Sequence, residues 1–374
     1  MTRIGFAYNQ KPEPIAAPHA AELARADDEP PSTGAGVATL VAPTDVADDE
    51  FAEWDSPATI NAVADALATL GDVIHLEATD DFPLRLREER PDIVFNIAEG
   101  LRGPNREAHV PAICEFYGIP YSGSDPFTLA LCLDKARTKE VLRARGVPTA
   151  DWWLVRSPAE LSALVAAAAA ALPLFAKPVH EGSSKGITER NFIAAAERIE
   201  PVVLGLLERY DQPVIVETFL PGAEFTCGVL GNGAAAQVLP LVGINFGSLP
   251  DGALPIYGYE AKWIWDRPEQ PLDMFDCPAD VSEQLRVEIE DVVLRAYDGL
   301  GCRDWSRVDV RLDANGRANV VEVNPLPGIL PDPADNSCLP KAARAAGLDY
   351  DALICACLRA AAERQGIPLT RRHA

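Results

Sequence analysis

Short apolar runs alternate with amphipathic stretches through the first third of the chain. Arg3 to Tyr8 (RIGFAY) reads as a buried strand. Residues from about 11 to 49 are rich in Pro, Ala, Asp and Glu without periodicity, and are expected to form a long, partly disordered loop rather than a folded module. Ser56-Pro57 is a helix start, with Ser as N-cap and Pro in the first turn. It opens a helix from Ala58 to Leu70 that Gly71 closes. Val73 to Leu76 predicts a second strand, Pro83 to Arg90 a short helix, and Pro91 to Gly100 a third strand running into a loop. Pro111 to Tyr117 reads as helix and Pro120 to Ser124 as strand and turn. This alternation predicts a parallel-sheet domain over residues 1–125, with function at the carboxyl ends of its strands.

Further on, Asp134 to Arg145 is an amphipathic helix ended by Gly146. Strands at Trp152–Val155 and Pro173–Pro178 flank a helix from Pro158 to Leu172, and a small-residue loop, HEGSSKG, follows at 180–186. Ile193 to Tyr210 predicts a long helix and Pro213 to Leu220 a buried strand. An antiparallel run begins at Glu224, turns at Asn232-Gly233 and continues through Leu239–Ile244. Ser282–Leu300, Leu339–Ala346 and Tyr350–Gln365 read as helices. The expected division is a central unit over 126–217 and a C-terminal unit over 218–374.

The most informative stretch is RVDVRLDANGRANVVEVN, two alternating strands joined across Asn315-Gly316. Asn-Gly between alternating apolar residues predicts a type I′ hairpin, with φ > 0 at both central positions. Counting outward from that tip, Leu312 faces Asn319, Asp309 faces Glu322 and Arg307 faces Asn324. Arg307, Asp309 and Arg311 then share a face with Val320, Glu322 and Asn324, while Val308, Val310, Leu312, Val321 and Val323 line the core face. Facing carboxylates repel, so something positive must sit between them unless one keeps its proton. One reading is a hairpin in solvent neutralised by Arg307 or Arg311. The other is a Mg²⁺ site, because Asp, Glu and the Asn carbonyl are hard oxygen ligands that suit Mg²⁺ bound jointly with phosphates.

Composition narrows the partners. A chain of 374 residues requires two or three domains, and 48% hydrophobic with 24% charged residues is a globular composition. The net charge of −23 argues against nucleic acid or an anionic membrane as partner. Eight scattered cysteines show neither zinc spacing nor a disulfide framework, which predicts reduced thiols and a cytoplasmic location. No signal peptide or membrane span is expected.

Other segments offer groups for phosphate chemistry. Lys177 stands at a strand end before the Gly/Ser loop, whose backbone N–H groups, with Lys185, suit phosphate oxygens, although such loops often only turn the chain. Lys135 at a helix start reads by default as a surface residue. Lys262 lies between aromatic residues in YEAKW, and Glu217 and Glu224 stand at strand ends where they can accept from a base or ribose. His180 suggests no role.

Taken in order, YSGS (121–124), DKARTKEVL (134–142), KPVHEGSSKGI (177–187), VETFLPGAEFT (216–226), YEAKW (259–263), RVDV…EVNPLPG (307–328) and SCLPKAARAAG (337–347) resemble the D-alanine–D-alanine ligases of the ATP-grasp superfamily. The resemblance runs from about Asp92 to Gly347. It implies an α/β (α+β) fold of three domains: an N-terminal parallel α/β domain, a central lid domain and a C-terminal antiparallel-sheet domain. It also implies ATP-dependent amide formation through an acylphosphate, in a cytoplasmic and often homodimeric enzyme.

By the same resemblance, Lys135 and Lys177 contact the α- and β-phosphates. Glu217 to Leu220 receives adenine, Glu224 holds the ribose and Lys262 meets the γ-phosphate. Asp309, Glu322 and Asn324 hold two Mg²⁺ (Mn²⁺ being the alternative), and Arg307 stabilises the oxyanion. Ser183 and Ser184 belong to the lid, and Gly328 and Ser337 bind the second substrate's carboxylate.

Departures cluster on the substrate side. Asn9-Gln10-Lys11 and the insertion replace the family's Glu-rich segment, leaving Glu50, Glu53 and Asp55 as substitutes for the group that binds the first ammonium. Asn96 to Glu107 replaces the family's His-Gly loop, Trp263 stands in place of a tyrosine, and about Leu330 to Pro333 are additional residues. These departures point toward a specialised ligase for other amino acids. A catalytically silent nucleotide-binding regulator and a small-molecule kinase are the further alternatives, and the presence of Arg307, Lys262 and the acids speaks against the regulator.

Overall fold

The computed structural model describes residues 1–12, 53–182, 184–258, 260–265 and 272–369. Among these, β1 (Arg3–Tyr8), α1 (Pro57–Ala68), β2 (Asp72–Glu77), α2 (Phe82–Glu89), β3 (Ile93–Asn96) and α3 (His109–Tyr117) build a parallel sheet in the order β2-β1-β3. A bridge from Val94 to Tyr121 extends it. Ser56 caps α1 by accepting from Thr59 N at 3.2 Å, as the Ser-Pro start predicts. The expected loop lies, beyond residue 12, outside the described residues.

α4 (Pro126–Leu133), which the sequence pattern did not announce, runs into α5 (Lys135–Ala144). Asp134 separates them and caps α5, accepting from the N–H groups of Ala136 and Arg137. The second sheet is antiparallel, in the order β4-β7-β5-β6, from β4 (Trp152–Val155), α6 (Leu161–Ala168), β5 (Leu174–Pro178), β6 (Phe192–Ile193), α7 (Ile199–Tyr210) and β7 (Val214–Thr218). The long helix expected from Ile193 begins only at Ile199. Phe192 and Ile193 pair with Phe175 and Leu174 instead, because they complete the edge of an apolar sheet.

β8 (Glu224–Leu230), β9 (Gln237–Val238), β10 (Val242–Ile244), β11 (Phe275–Asp276), α8 (Glu283–Leu300), β12 (Trp305–Leu312), β13 (Ala318–Asn324), α9 (Cys338–Ala345) and α10 (Tyr350–Gln365) complete the chain. The third sheet runs β11-β10-β8-β12-β13, with β9 on β8. The connection after Leu230 is longer than an Asn-Gly tip: Asn232 is drawn off to bond Asp304, and Gly233–Ala235 forms a 3₁₀ turn. Ile289, Val293 and Ala296 of α8 pack under Val308, Val310 and Val320, so the hairpin is buried on one face and open on the other.

Candidate active site

Hairpin β12–β13 pairs Arg307 with Asn324 and Asp309 with Glu322, as counting from the tip predicts. Beyond Asp309 the register slips by one, so that Val310 faces Val320 and Leu312 faces Ala318 rather than Asn319. The turn explains the slip. Of Asn315 and Gly316, only Gly316 has positive φ, at +75°. Asp313 closes a longer tip, its carboxylate accepting from Asn315 N at 2.8 Å and Arg317 N at 2.9 Å. A bulge then restores the pairing, leaving Val320 in the core and Val321 lining the site, the reverse of their expected faces.

Around this face the structure gathers a cavity of about 370 Å³, which Lys135, Lys177, Ser184, Glu217, Leu220, Glu224, Arg307, Asp309, Glu322, Asn324, Gly328 and Ser337 all line. Ser183 and the side chain of Lys262 lie outside the described residues. Arg307 grips Asp309 with two donors, Nε at 3.1 Å and Nη2 at 2.9 Å, and Thr226 Oγ1 donates to the same carboxylate at 2.9 Å. Lys135 is no surface residue: it is 6% exposed and sits 2.7 Å from Glu322 Oε1. Burial pushes the Glu322 carboxyl up, but Lys135 and Lys177 outweigh it and hold the group below its usual range. Each of the facing acids thus has a cation of the chain beside it. Among the described residues, no three Asp, Glu, His or Cys side chains are grouped to hold a metal by themselves. A divalent cation held by Asp309, Glu322 and Asn324 would need further oxygens from a ligand, the manner in which Mg²⁺ binds with phosphates.

The neighbouring group is one that sequence reasoning missed in part. Glu217 lies between two buried lysines, Lys139 and Lys177, with Nζ atoms 2.6 Å from its two oxygens. Burial raises this carboxyl, yet the two lysines together bring it down to about 2. Lys139 also donates to Thr149 Oγ1 at 2.6 Å, and Thr149 donates to Val320 O at 2.7 Å, which ties the helix to the hairpin. The signal was available: Lys139 follows Lys135 by one helical turn, so both point from one face. Arg311 pairs with Glu224 at 2.8 Å.

In the Gly/Ser loop, Ser184 has φ +61° and donates to Tyr257 O at 3.3 Å. Glu53, a candidate for the ammonium, is already engaged by Arg106 at 2.8 Å and Lys185 at 3.4 Å. Gly182 packs against it so closely that a Cβ there would stand 2.3 Å from Glu53 Oε1. Glu50 lies outside the described residues. Two acids without any assigned role, Glu99 and Glu107, line the same end of the cavity with Asp55. Burial and then repulsion from Glu53 push Glu107 up to about 8, and burial pushes Asp55 up to about 7. Ser337 lines the same cavity; its Oγ donates to Gly328 O at 3.2 Å and accepts from Leu330 N at 3.1 Å, shaping a polar loop.

The family described as "D-ala D-ala ligase C-terminus" matches residues 141–359. A D-alanine–D-alanine ligase of Actinobacillus pleuropneumoniae is 38% identical over 294 residues, covering 78% of this chain and 88% of the relative. One from Ectopseudomonas mendocina is 35% identical over 309 residues, covering 82% and 90%. The solved D-alanine–D-alanine ligase of Bacillus anthracis in complex with ATP overlays 97% of this chain and 100% of its own, with TM-score 0.63 at 21% identity. VanG D-Ala:D-Ser ligase of Enterococcus faecalis gives TM-score 0.66 over 96% of this chain at 20% identity. At those identities the overlays establish the ATP-grasp fold, whereas the sequence relatives establish kinship. The chain belongs to the D-alanine–D-alanine ligase family, the ATP-dependent, ADP-forming carbon–nitrogen ligases.

Proposed function

We propose that this protein joins two molecules of D-alanine, with ATP as the energy source, through an acylphosphate. The observation that carries this reading is the convergence of Lys135, Lys177, Asp309, Glu322 and Arg307 on one cavity, in a chain whose relatives of 35–38% identity are named D-alanine–D-alanine ligase. Asp309, Glu322 and Asn324 would hold Mg²⁺ together with phosphate oxygens, and the ion would supply Lewis-acid neutralisation to the transferring phosphoryl group. Lys135 and Lys177 orient the phosphates, and the clamp of Glu217 and Lys139 fixes Lys177 before the nucleotide arrives. The carboxylate of the first D-alanine attacks the γ-phosphorus and ADP departs. The second substrate's amine, as the free base, then attacks the acyl carbon, Arg307 stabilises the tetrahedral oxyanion, and phosphate leaves with the proton the amine gives up.

Glu99, Glu107 and Asp55 receive the first ammonium, since Glu53 is bound to Arg106 and Lys185. The Ser337–Gly328 loop receives the second carboxylate. The loop at Ser184 excludes water from the acylphosphate. Eight free cysteines support a cytoplasmic location, and no helix among the described residues is long and apolar enough to cross a membrane. Family membership supports a homodimer.

The test is phosphate release from ATP and Mg²⁺ across D- and L-amino acids, with products identified by mass spectrometry. Release that requires D-alanine and yields its dipeptide is expected. Release with another amino acid alone would overturn the substrate assignment.

A further inference from the structure

One charged pair at the nucleotide end has no part in phosphate transfer, and its construction is unusual. Arg311 is 6% exposed, and the strand register sets it directly beside Glu224. Its Nη1 donates to Glu224 Oε2 at 2.8 Å and its Nη2 to Pro255 O at 2.7 Å. The rings of Phe219 and Phe246 lie 4.8 and 5.2 Å from its Cζ, within cation–π range. Its third nitrogen, Nε, is buried without an acceptor. A buried donor left unmade is costly, so the fork is placed for Glu224 and Pro255 at the expense of full satisfaction. The pair presents a fixed carboxylate in the cavity that Glu217, Thr218 and Leu220 line.

We propose that Arg311 is a positioning residue for the nucleotide: through its fork on Glu224 it fixes that carboxylate as the acceptor for the ribose hydroxyls, and so sets the preference for a ribonucleotide over a 2′-deoxyribonucleotide. A fixed carboxylate that accepts from a ribose 2′-hydroxyl is a recurrent device in nucleotide sites. Sites built to bond a hydroxyl reject the analogue that lacks it, because their polar group is left unpaired. The aromatic walls supply stacking but cannot tell the two sugars apart, which leaves the Arg311–Glu224 pair as the discriminating element. This inference rests on the ATP-dependent reading of the site and deepens it.

The experiment measures equilibrium binding of ATP and 2′-deoxy-ATP, with Mg²⁺, to the full chain and to Arg311→Met, Arg311→Lys, Glu224→Gln and the double variant Arg311→Met/Glu224→Gln. The native chain is expected to favour ATP by roughly tenfold, the value of one hydrogen bond to a charged group. Arg311→Met and Glu224→Gln should each remove that preference, and the double variant should lose nothing further. Arg311→Lys, which keeps the charge but not the fork, should fall between them and provides the comparison if the methionine variant does not fold. In turnover with D-alanine the loss should appear in KM for ATP rather than in kcat. A methionine variant that keeps the native ratio, or losses that add, would overturn the role of Arg311. A native chain that binds no ATP would instead overturn the ligase reading beneath it.

Discussion

The two ends of the cavity are built on opposite electrostatic plans. At the end we propose for the nucleotide each of these acids is matched: Asp309 by Arg307, Glu322 by Lys135, Glu217 by Lys139 and Lys177, Glu224 by Arg311. At the end we propose for the first amino acid, Glu99, Glu107 and Asp55 have no ion-pair partner among the described residues, and burial pushes all three carboxyls up. Mg-ATP brings both signs of charge, so a site for it must already hold both and exchange partners at little cost. An amino acid's ammonium brings only positive charge to its subsite, and acids that await it are the complementary design. Paired ions preorganise a site, whereas unpaired ones make it respond to its ligand.

The largest effect should come from breaking the nucleotide end at the hairpin. Glu322→Gln should lower turnover by roughly 100-fold or more while circular dichroism stays native, on the scale of removing one preorganised electrostatic stabiliser. Turnover within a few-fold of native would show that the acid has no such role. Next comes the buried clamp. Glu217→Ala leaves Lys139 and Lys177 facing each other, and urea denaturation should show a loss of about 3–5 kcal/mol, the usual consequence of orphaning a buried ion.

A smaller effect should mark the other end. Ionised acids bind the ammonium, so the affinity for D-alanine should rise as pH rises through about 7 to 8, the values of Asp55 and Glu107, with proton release on binding. Without substrate the sign is reversed. Carboxyls raised in the folded state keep protons that the unfolded chain gives up, so their contribution to stability falls as pH climbs from about 4.5 toward 8. Glu107→Gln should flatten the substrate profile, and a profile identical to the native one would break the contrast between the two ends.

Much of the hairpin was legible in the sequence because strand alternation and turn chemistry are local. Asp309 opposite Glu322 followed from counting, and Ser56 acts at a helix start where residue type alone places it. The slip at Val320 and Val321 was not legible, because it depends on Asp313 capturing Asn315 and Arg317 at the tip. Lys135 read as a surface residue because helix position says nothing of what packs above it. The role of Glu217 as the centre of a lysine clamp, and the gathering of Glu99, Glu107 and Asp55, join residues far apart in the chain. No periodicity encodes such contacts, so they appear only when the sheets come together.

The most direct test of the paired nucleotide end is calorimetric binding of ATP as Mg²⁺ is raised, in the native chain and in Asp309→Asn. If the hairpin acids carry the cation shared with the phosphates, Mg²⁺ should strengthen ATP binding to the native chain and do so far less in the variant. Equal ATP affinity with and without Mg²⁺ in the native chain, or the same gain in both proteins, would contradict the account.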